Sequence, residues 1–355
     1  MYPYFIVFFL LLILPKKNIN KSAFILLLIF LSIRYDIGFD FPEYYKVGKE
    51  YEMLGTSLFV NLKDYVRGEG YLYYKIEILN RVLYQITWFL KNPQVIIFLY
   101  SFLELYFIKK GLDRQKINSR YVWILFFSFP IFMFSYMSIM RQSVAMSIIF
   151  YNYNNFIEKK HIKSLIFIFI ACLFHNTAII AIFIYLIVLL NINLKYILGI
   201  TGIFSISIVI LQEYFSYMYF LKKYAFYFNN HIQSGGGKVF YLMLFISIFL
   251  LILYKKLINL NKSHEKLLQI ILIGTIFYLN IFLIGDLASR LAVYFIFYIL
   301  YILEDIFQIF RNKNIGKIIF IFSCFILLNI SLYIDIKSTN VLVPYKTYFQ
   351  EVKNL

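Results

Sequence analysis

The chain has 355 residues, of which 62% are hydrophobic, 21% aromatic and 15% charged, whereas a soluble domain is roughly half apolar and a quarter charged. That balance excludes a soluble globule, whose core cannot hide so much apolar surface, and points to an all-α polytopic membrane protein, with length for roughly a dozen crossings of about 20 residues each. The 35 Lys and Arg outnumber the 18 Asp and Glu, but they sit in short loops between apolar runs and form no continuous basic face, so nucleic acid is not a partner.

The apolar runs fall, in chain order, at about 1–14, 22–33, 71–90, 94–108, 121–139, 142–157, 164–174, 177–190, 195–212, 239–254, 267–284, 291–308 and 316–333. All read as helices, because irregular backbone in lipid leaves amides unpaired and the two-residue alternation of an outer-membrane barrel is missing. Lys16, Lys17 and Lys21 follow the first run and no cleavage-type sequence follows Leu14, so it reads as a retained span. Basic loops at 16–21, 109–120, 159–163, 255–266 and 311–317 belong on the cytoplasmic side. If every run crossed once, the parity would fail at run 71–90. That run carries Lys75, Glu77, Arg81 and Gln85 and reads instead as an interfacial or re-entrant helix on the outer face, where charges are tolerated. The expectation is a single integral membrane domain over 1–355, with about 12 transmembrane helices plus the outer interfacial helix and both termini outside.

Two outer segments stand apart. Residues 34–70 hold seven acids and five bases interleaved with Tyr44, Tyr45, Tyr51 and Tyr65, which suggests an acidic extracytoplasmic subdomain. Residues 213–238 are rich in tyrosine and end near Gly235-Gly236-Gly237, an aromatic loop. Cys172 and Cys324 lie within apolar runs without CxxC spacing, so neither a disulfide framework nor a zinc site is indicated. No cofactor motif and no acidic metal motif occurs.

The informative charges lie at the outer ends of the runs. Arg34 opens Arg34-Tyr35-Asp36-Ile37-Gly38-Phe39-Asp40, in which Gly38 permits a tight turn that brings Asp40 back toward Arg34; alternatively Arg34 snorkels at a helix end. Arg141-Gln142 follows one apolar run and begins the next, with no loop to hold the arginine in bulk water, so it either faces a polar cavity or makes a structural ion pair. Going down 141–157 and back up 163–175 covers about 25 Å and about 20 Å at 1.5 Å per residue, which returns His175 to the depth of Arg141. His175 is an acid or base near neutral pH, or an interhelical hydrogen-bond partner. Asp286 and Arg290 share one helical face and either pair with each other or line the same mouth. Glu69 closes the acidic segment. The span interiors are otherwise nearly free of charge, with Glu104 as the main exception.

Arginines with a carboxylate or imidazole base suit an anionic lipid-linked donor, because guanidinium groups hold a pyrophosphate by paired charge-assisted bonds. Outer-loop tyrosines suit sugar rings. The strings Arg34-Tyr35-x-x-Gly38-x-Asp40-x-x-x-Tyr44, Glu69-Gly70-Tyr71, Ile139-Met140-Arg141-Gln142-Ser143-Val144-Ala145 and Leu173-Phe174-His175-Asn176-Thr177-Ala178 resemble, in order, the motifs of the EpsG family of Wzy-like bacterial polysaccharide polymerases. The resemblance covers residues 20–190, with a weaker late match at Arg290. It implies polymerisation of undecaprenyl-pyrophosphate-linked oligosaccharide repeats into O-antigen, capsule or exopolysaccharide, on the extracytoplasmic face of the bacterial cytoplasmic membrane. The implied partners are that lipid-linked oligosaccharide, membrane lipid, and a chain-length regulator and flippase of the same pathway. On this reading His175, Arg141, Asp40 and Glu69 are catalytic, with the base left open among His175, Asp40 and Glu69. Arg34, Asp36, Gln142, Asp286 and Arg290 bind substrate. The competing readings are a lipid-linked-oligosaccharide flippase, which needs cations along a translocation path, and a membrane O-acyltransferase using His175.

Overall fold

The computed structural model describes residues 1–54, 76–190, 192–215, 236–281 and 285–352. Among these the chain is helical throughout: α1 (Tyr2–Ile13), α2 (Ile19–Ser32), α3 (Phe41–Leu54), α4 (Ile78–Leu90), α5 (Gln94–Arg114), α6 (Arg120–Ser128), α7 (Pro130–Ser138), α8 (Met140–Ile157), α9 (His161–Phe174), a 3₁₀ turn (Asn176–Ile180), α10 (Ala181–Leu189), α11 (Leu194–Phe215), α12 (Gly236–Leu260), α13 (His264–Leu279), α14 (Asp286–Ile296), α15 (Ile299–Ile309), α16 (Lys313–Ser338) and α17 (Tyr348–Val352). The chain divides into two compact units. The first holds 1–155, 161–179 and 321–355, and the second holds 156–160 and 180–320.

In the first unit α2 packs on α5, α1 on α6, and α4 against α3, α5 and α9. Asn20 ties one end together: its amide nitrogen donates to Asp113 Oδ1 and Ile117 O, both at 2.8 Å, while Trp123 Nε1 donates to its oxygen at 2.9 Å. All of its amide capacity used here is met, so a buried asparagine is tolerated. The basic loops at 16–21 and 109–120 meet at this end, where Asn118 donates to Lys16 O and Arg120 to Leu14 O. At the other end the start of α5 meets the finish of α2: Gln94 Nε2 donates to Ser32 O and Arg34 O, each at 2.8 Å. The tail after α16 returns to this end, with Tyr35 N–H donating to Lys346 O and Tyr348 N–H to Ile33 O.

Run 121–139 is two helices, α6 and α7, bent by 66°. Pro130 explains the break: it has no N–H to donate and pushes Phe129 out of the helical region, to φ −82°, ψ 119°. In the second unit, run 291–308 likewise divides into α14 and α15, bent by 59°; nothing in the local sequence accounts for this second break. There α13 lies close against α14, and a Cβ on Gly274 would fall 2.5 Å from Phe295 Cβ. Glycine is therefore what lets these helices approach.

Among the described residues two helices, Val239–Leu260 and Lys313–Ser338, are long and apolar enough to cross a membrane, or up to four if each bent pair is one span. The anticipated dozen is larger. Several apolar runs form helices such as α1 and α2, of 12 and 14 residues, which rise only about 18–21 Å at 1.5 Å per residue against a hydrocarbon core of about 30 Å. The expected interfacial helix 71–90 is described from 76 and forms α4, while residues 55–70 of the acidic subdomain, 71–75 of the expected helix and 216–235 of the aromatic loop lie outside the described residues.

Candidate functional site

The turn after α2 depends on Gly38. It has φ +106°, and an added Cβ would fall 2.2 Å from Met137 O, so glycine alone fits against the α7–α8 junction. Hydrogen bonds hold the turn there, from Gly38 N–H to Val341 O and from Phe39 N–H to Ser138 Oγ. Arg34, just before it, is wholly buried. Its guanidinium donates to Leu31 O, to Ser101 Oγ and Met137 O at 3.3 Å, and to Met140 Sδ at 3.0 Å. The acid whose field bears on it most is Glu104 of α5, also wholly buried. Arg34 thus joins α2, α5, α7 and the start of α8 from inside. Removing one member of such a buried charge set costs far more than the set itself contributes.

Arg141 lies in the first turn of α8, where the helix dipole disfavours a cation. The charge is met by Glu77, whose Oε2 accepts from Arg141 Nη1 at 3.0 Å. Tyr44 of α3 accepts from the Arg141 backbone N–H at 3.3 Å, and its ring centroid lies 5.8 Å from the guanidinium carbon. Burial pushes the Tyr44 phenol up to about 12, so it stays neutral and can hold the arginine without competing for its charge. The Arg141 side chain is 26% exposed and that of Glu77 12%. A cation so placed keeps an accessible edge while its orientation is set from behind.

Behind this pair lies Asn80 of α4, wholly buried. Its amide nitrogen donates to Glu77 Oε2 at 3.1 Å and to Phe174 O at 2.7 Å, and its oxygen accepts from Tyr100 OH at 2.9 Å. Tyr100 packs against Tyr44 with ring centroids 5.4 Å apart. Phe174 is the last residue of α9, and His175 follows it. The Asn80 amide therefore links the Arg141 support to the backbone beside His175. The His175 ring is oriented by Thr177, with Nδ1 and Oγ1 2.6 Å apart. Arg141 and His175, 34 residues apart in the chain, are joined through Glu77, Asn80 and Phe174.

The other expected site residues are distributed as follows. Gln142 is buried in the first turn of α8. Asp40 precedes α3 and bears electrostatically on Tyr44, and Asp36 is exposed and paired with Lys346 at 3.2 Å. Glu69 lies outside the described residues. Asp286 and Arg290 belong to the second unit, at the start of α14. Among the described residues no group of His, Cys, Asp and Glu could hold a metal.

This constellation carries three of the four motifs noted in the sequence, those at Arg34, Arg141 and His175, and the chain matches the EpsG family over residues 17–347. The protein belongs to the EpsG family. Membership suggests a polysaccharide polymerase-like role, and together with the apolar helices it fits a membrane protein. No curated protein and no solved structure matches the chain significantly. Two members of the EpsG-family cluster escaped the sequence reading, Glu77 as the partner of Arg141 and Asn80 as the junction. The signal available was an acid and an asparagine three residues apart at the start of a helix that also carries Arg81 and Gln85.

Proposed function

We propose that this EpsG-family protein joins undecaprenyl-pyrophosphate-linked oligosaccharide repeats into O-antigen, capsule or exopolysaccharide at the outer leaflet of the bacterial cytoplasmic membrane. The growing glycan on its lipid pyrophosphate is the donor, and a hydroxyl of the incoming lipid-linked repeat is the acceptor. The acceptor oxygen bonds to the donor's anomeric carbon, the bond from that carbon to pyrophosphate breaks, and the lipid pyrophosphate leaves. Arg141 holds the leaving group by charge-assisted hydrogen bonds, and His175 takes the acceptor proton, with Asp40 and Glu69 as the alternative bases. Arg34 acts by holding the helices that present Arg141. Asp36, Gln142, Asp286 and Arg290 remain proposed substrate contacts. A flippase that supplies the repeat and a chain-length regulator are the proposed pathway partners.

The observation that carries this reading is the part-exposed Arg141, backed by Glu77 and Tyr44 and tied through Asn80 to the turn bearing His175. It is the arrangement expected of a pre-oriented anion holder beside a proton acceptor. The test is reconstitution of the purified protein with lipid-linked repeats, reading glycan length on gels, alongside the surface glycan of a deletion strain. Polymer in the first and single-repeat-capped acceptor in the second are expected. Loss of all surface repeats in the deletion strain, with no polymer in vitro, would instead point to export.

A further inference from the structure

Around α3 from Tyr44 lies a second feature. Phe41, Tyr45 and Lys49 are spaced four apart along the helix; Phe41, like Tyr44, Val47 and Tyr51, is buried, while Tyr45 is part-exposed and Lys49 exposed. Tyr45 stacks on Phe41 with centroids 5.7 Å apart and planes 14° apart, and Tyr35 stands edge-on to both, at 5.3 and 5.6 Å. The part-exposed rings of Tyr35 and Tyr45, backed by the buried Phe41, floor a groove of about 470 Å³. Three exposed lysines rim it, Lys46, Lys49 and Lys346, and Lys49 Nζ sits 5.2 Å from the Tyr45 ring centroid. Asp36, held by Lys346, is the single acid of the lining.

We infer that this groove binds an acidic saccharide, one carrying carboxylate or phosphate on its sugars. The aromatic floor offers faces on which the C–H side of a sugar ring stacks, leaving its hydroxyls to polar groups. The rim carries three positive charges against one negative, and with Asp36 answering Lys346 a surplus of two remains on Lys46 and Lys49, which an anionic glycan meets and a neutral one does not. Lysines are mobile point charges, which suits successive charged sugars more than one fixed bidentate contact. Position adds a further reason. Tyr44 and Tyr45 are neighbours on one helix, so the groove and the Arg141 cluster lie on two sides of an element about 10–12 Å across. That is the length of two or three sugars. Resting on the polymerase reading, the groove holds the sugars next to the reacting one, and the repeat unit handled by this protein is acidic.

The test is binding without turnover. Full-length protein in neutral detergent is titrated with fluorescent oligogalacturonate and with a malto-oligosaccharide of equal length. The acidic probe should bind and the neutral one bind at least tenfold more weakly, with the difference shrinking as salt is raised, because exposed charges are screened. Lys49→Gln with Lys346→Gln should weaken the acidic probe about tenfold, since two exposed charge contacts are lost. Asp36→Asn should act in the opposite direction and tighten it; Asp36 has φ +52°, which asparagine tolerates. Tyr45→Leu should weaken both probes. Equal binding of the two probes, or indifference to the lysine pair in a protein of unchanged melting temperature, would overturn the inference. So would acidic-probe binding abolished by phosphatidylglycerol nanodiscs and untouched by phosphatidylcholine ones, which would reassign the groove to a lipid headgroup. Because no turnover is involved, a protein that binds oligogalacturonate yet fails to polymerise lipid-linked repeats keeps the groove and loses the polymerase reading, and the reverse result does the opposite.

Discussion

Replacing Glu77 by glutamine keeps the size and hydrogen-bonding capacity of the side chain while removing its charge. The Arg141 Nη1 to Glu77 Oε2 distance is 3.0 Å, with side chains 26% and 12% exposed. At an effective dielectric near 20 the direct attraction of such a pair is about 5–6 kcal/mol, and much of it is offset by the desolvation of both ions. A net loss of about 2–3 kcal/mol in holding Arg141 in place is therefore expected. If that holding serves the transition state, polymerisation slows by roughly 30–150-fold, at about 1.4 kcal/mol per factor of ten. Glutamine still accepts from Asn80, so the Asn80 link to Phe174 O persists and the folded yield should fall little. Glu77→Ala breaks both contacts and should lower melting temperature as well. The assay is glycan polymerised per mole of monodisperse protein, with kcat and KM separated and melting followed in the same detergent. A positioning role predicts a fall chiefly in kcat. Wild-type turnover in Glu77→Gln, or a loss of turnover matched by loss of folded protein, would refute the claim that Glu77 orients Arg141.

Arg141→Lys should lose most polymerisation although charge is retained, because an ammonium cannot copy a planar two-point contact to phosphate; normal polymer length at matched protein level would remove the leaving-group assignment. His175→Gln should reduce turnover roughly 10²–10⁴-fold, the usual share of acid–base catalysis, and flatten the pH–rate profile near neutrality. An unchanged profile would pass the base role to Asp40 or Glu69. Gly38→Ala should destabilise the first unit by about 2–4 kcal/mol through positive φ and overlap with Met137 O, whereas Gly199→Ala, with open space around it, should be neutral or stabilising by up to about 1 kcal/mol; equal melting of the two variants would contradict the close approach. His264, in the basic 255–266 loop, hydrogen-bonds Asp305 at 3.1 Å, which raises its pKa above the ordinary value. Its contribution to stability is then full below the unfolded value of about 6.5 and is lost as pH rises through the folded one. The melting gap between wild type and His264→Gln should accordingly narrow from pH about 6 to about 8, and a widening gap would show the opposite linkage.

Much of this protein is legible in one dimension. Composition alone demands buried helices, because apolar surface on this scale must leave water and backbone amides must pair locally. The Gly38 turn follows from local geometry and uses only near-neighbour information, while the common level expected of Arg141 and His175 rests on counting helical rise alone. Pro130 also stood in the sequence, and its missing N–H breaks a run that hydropathy alone joined. The tertiary structure decided where charges end up. Arg34 and Arg141 both follow an apolar run, yet the first is enclosed by α2, α5, α7 and α8 within the field of Glu104, and the second keeps an edge exposed. Hydropathy cannot separate these cases, since a helix face turned to lipid and one turned to a neighbouring helix are equally apolar. Glu77 meets Arg141 across 64 residues, and Asn80 reaches the α9 carbonyl across 94. Such pairings depend on which helices pack together, and a single chain carries no local mark of its distant partners.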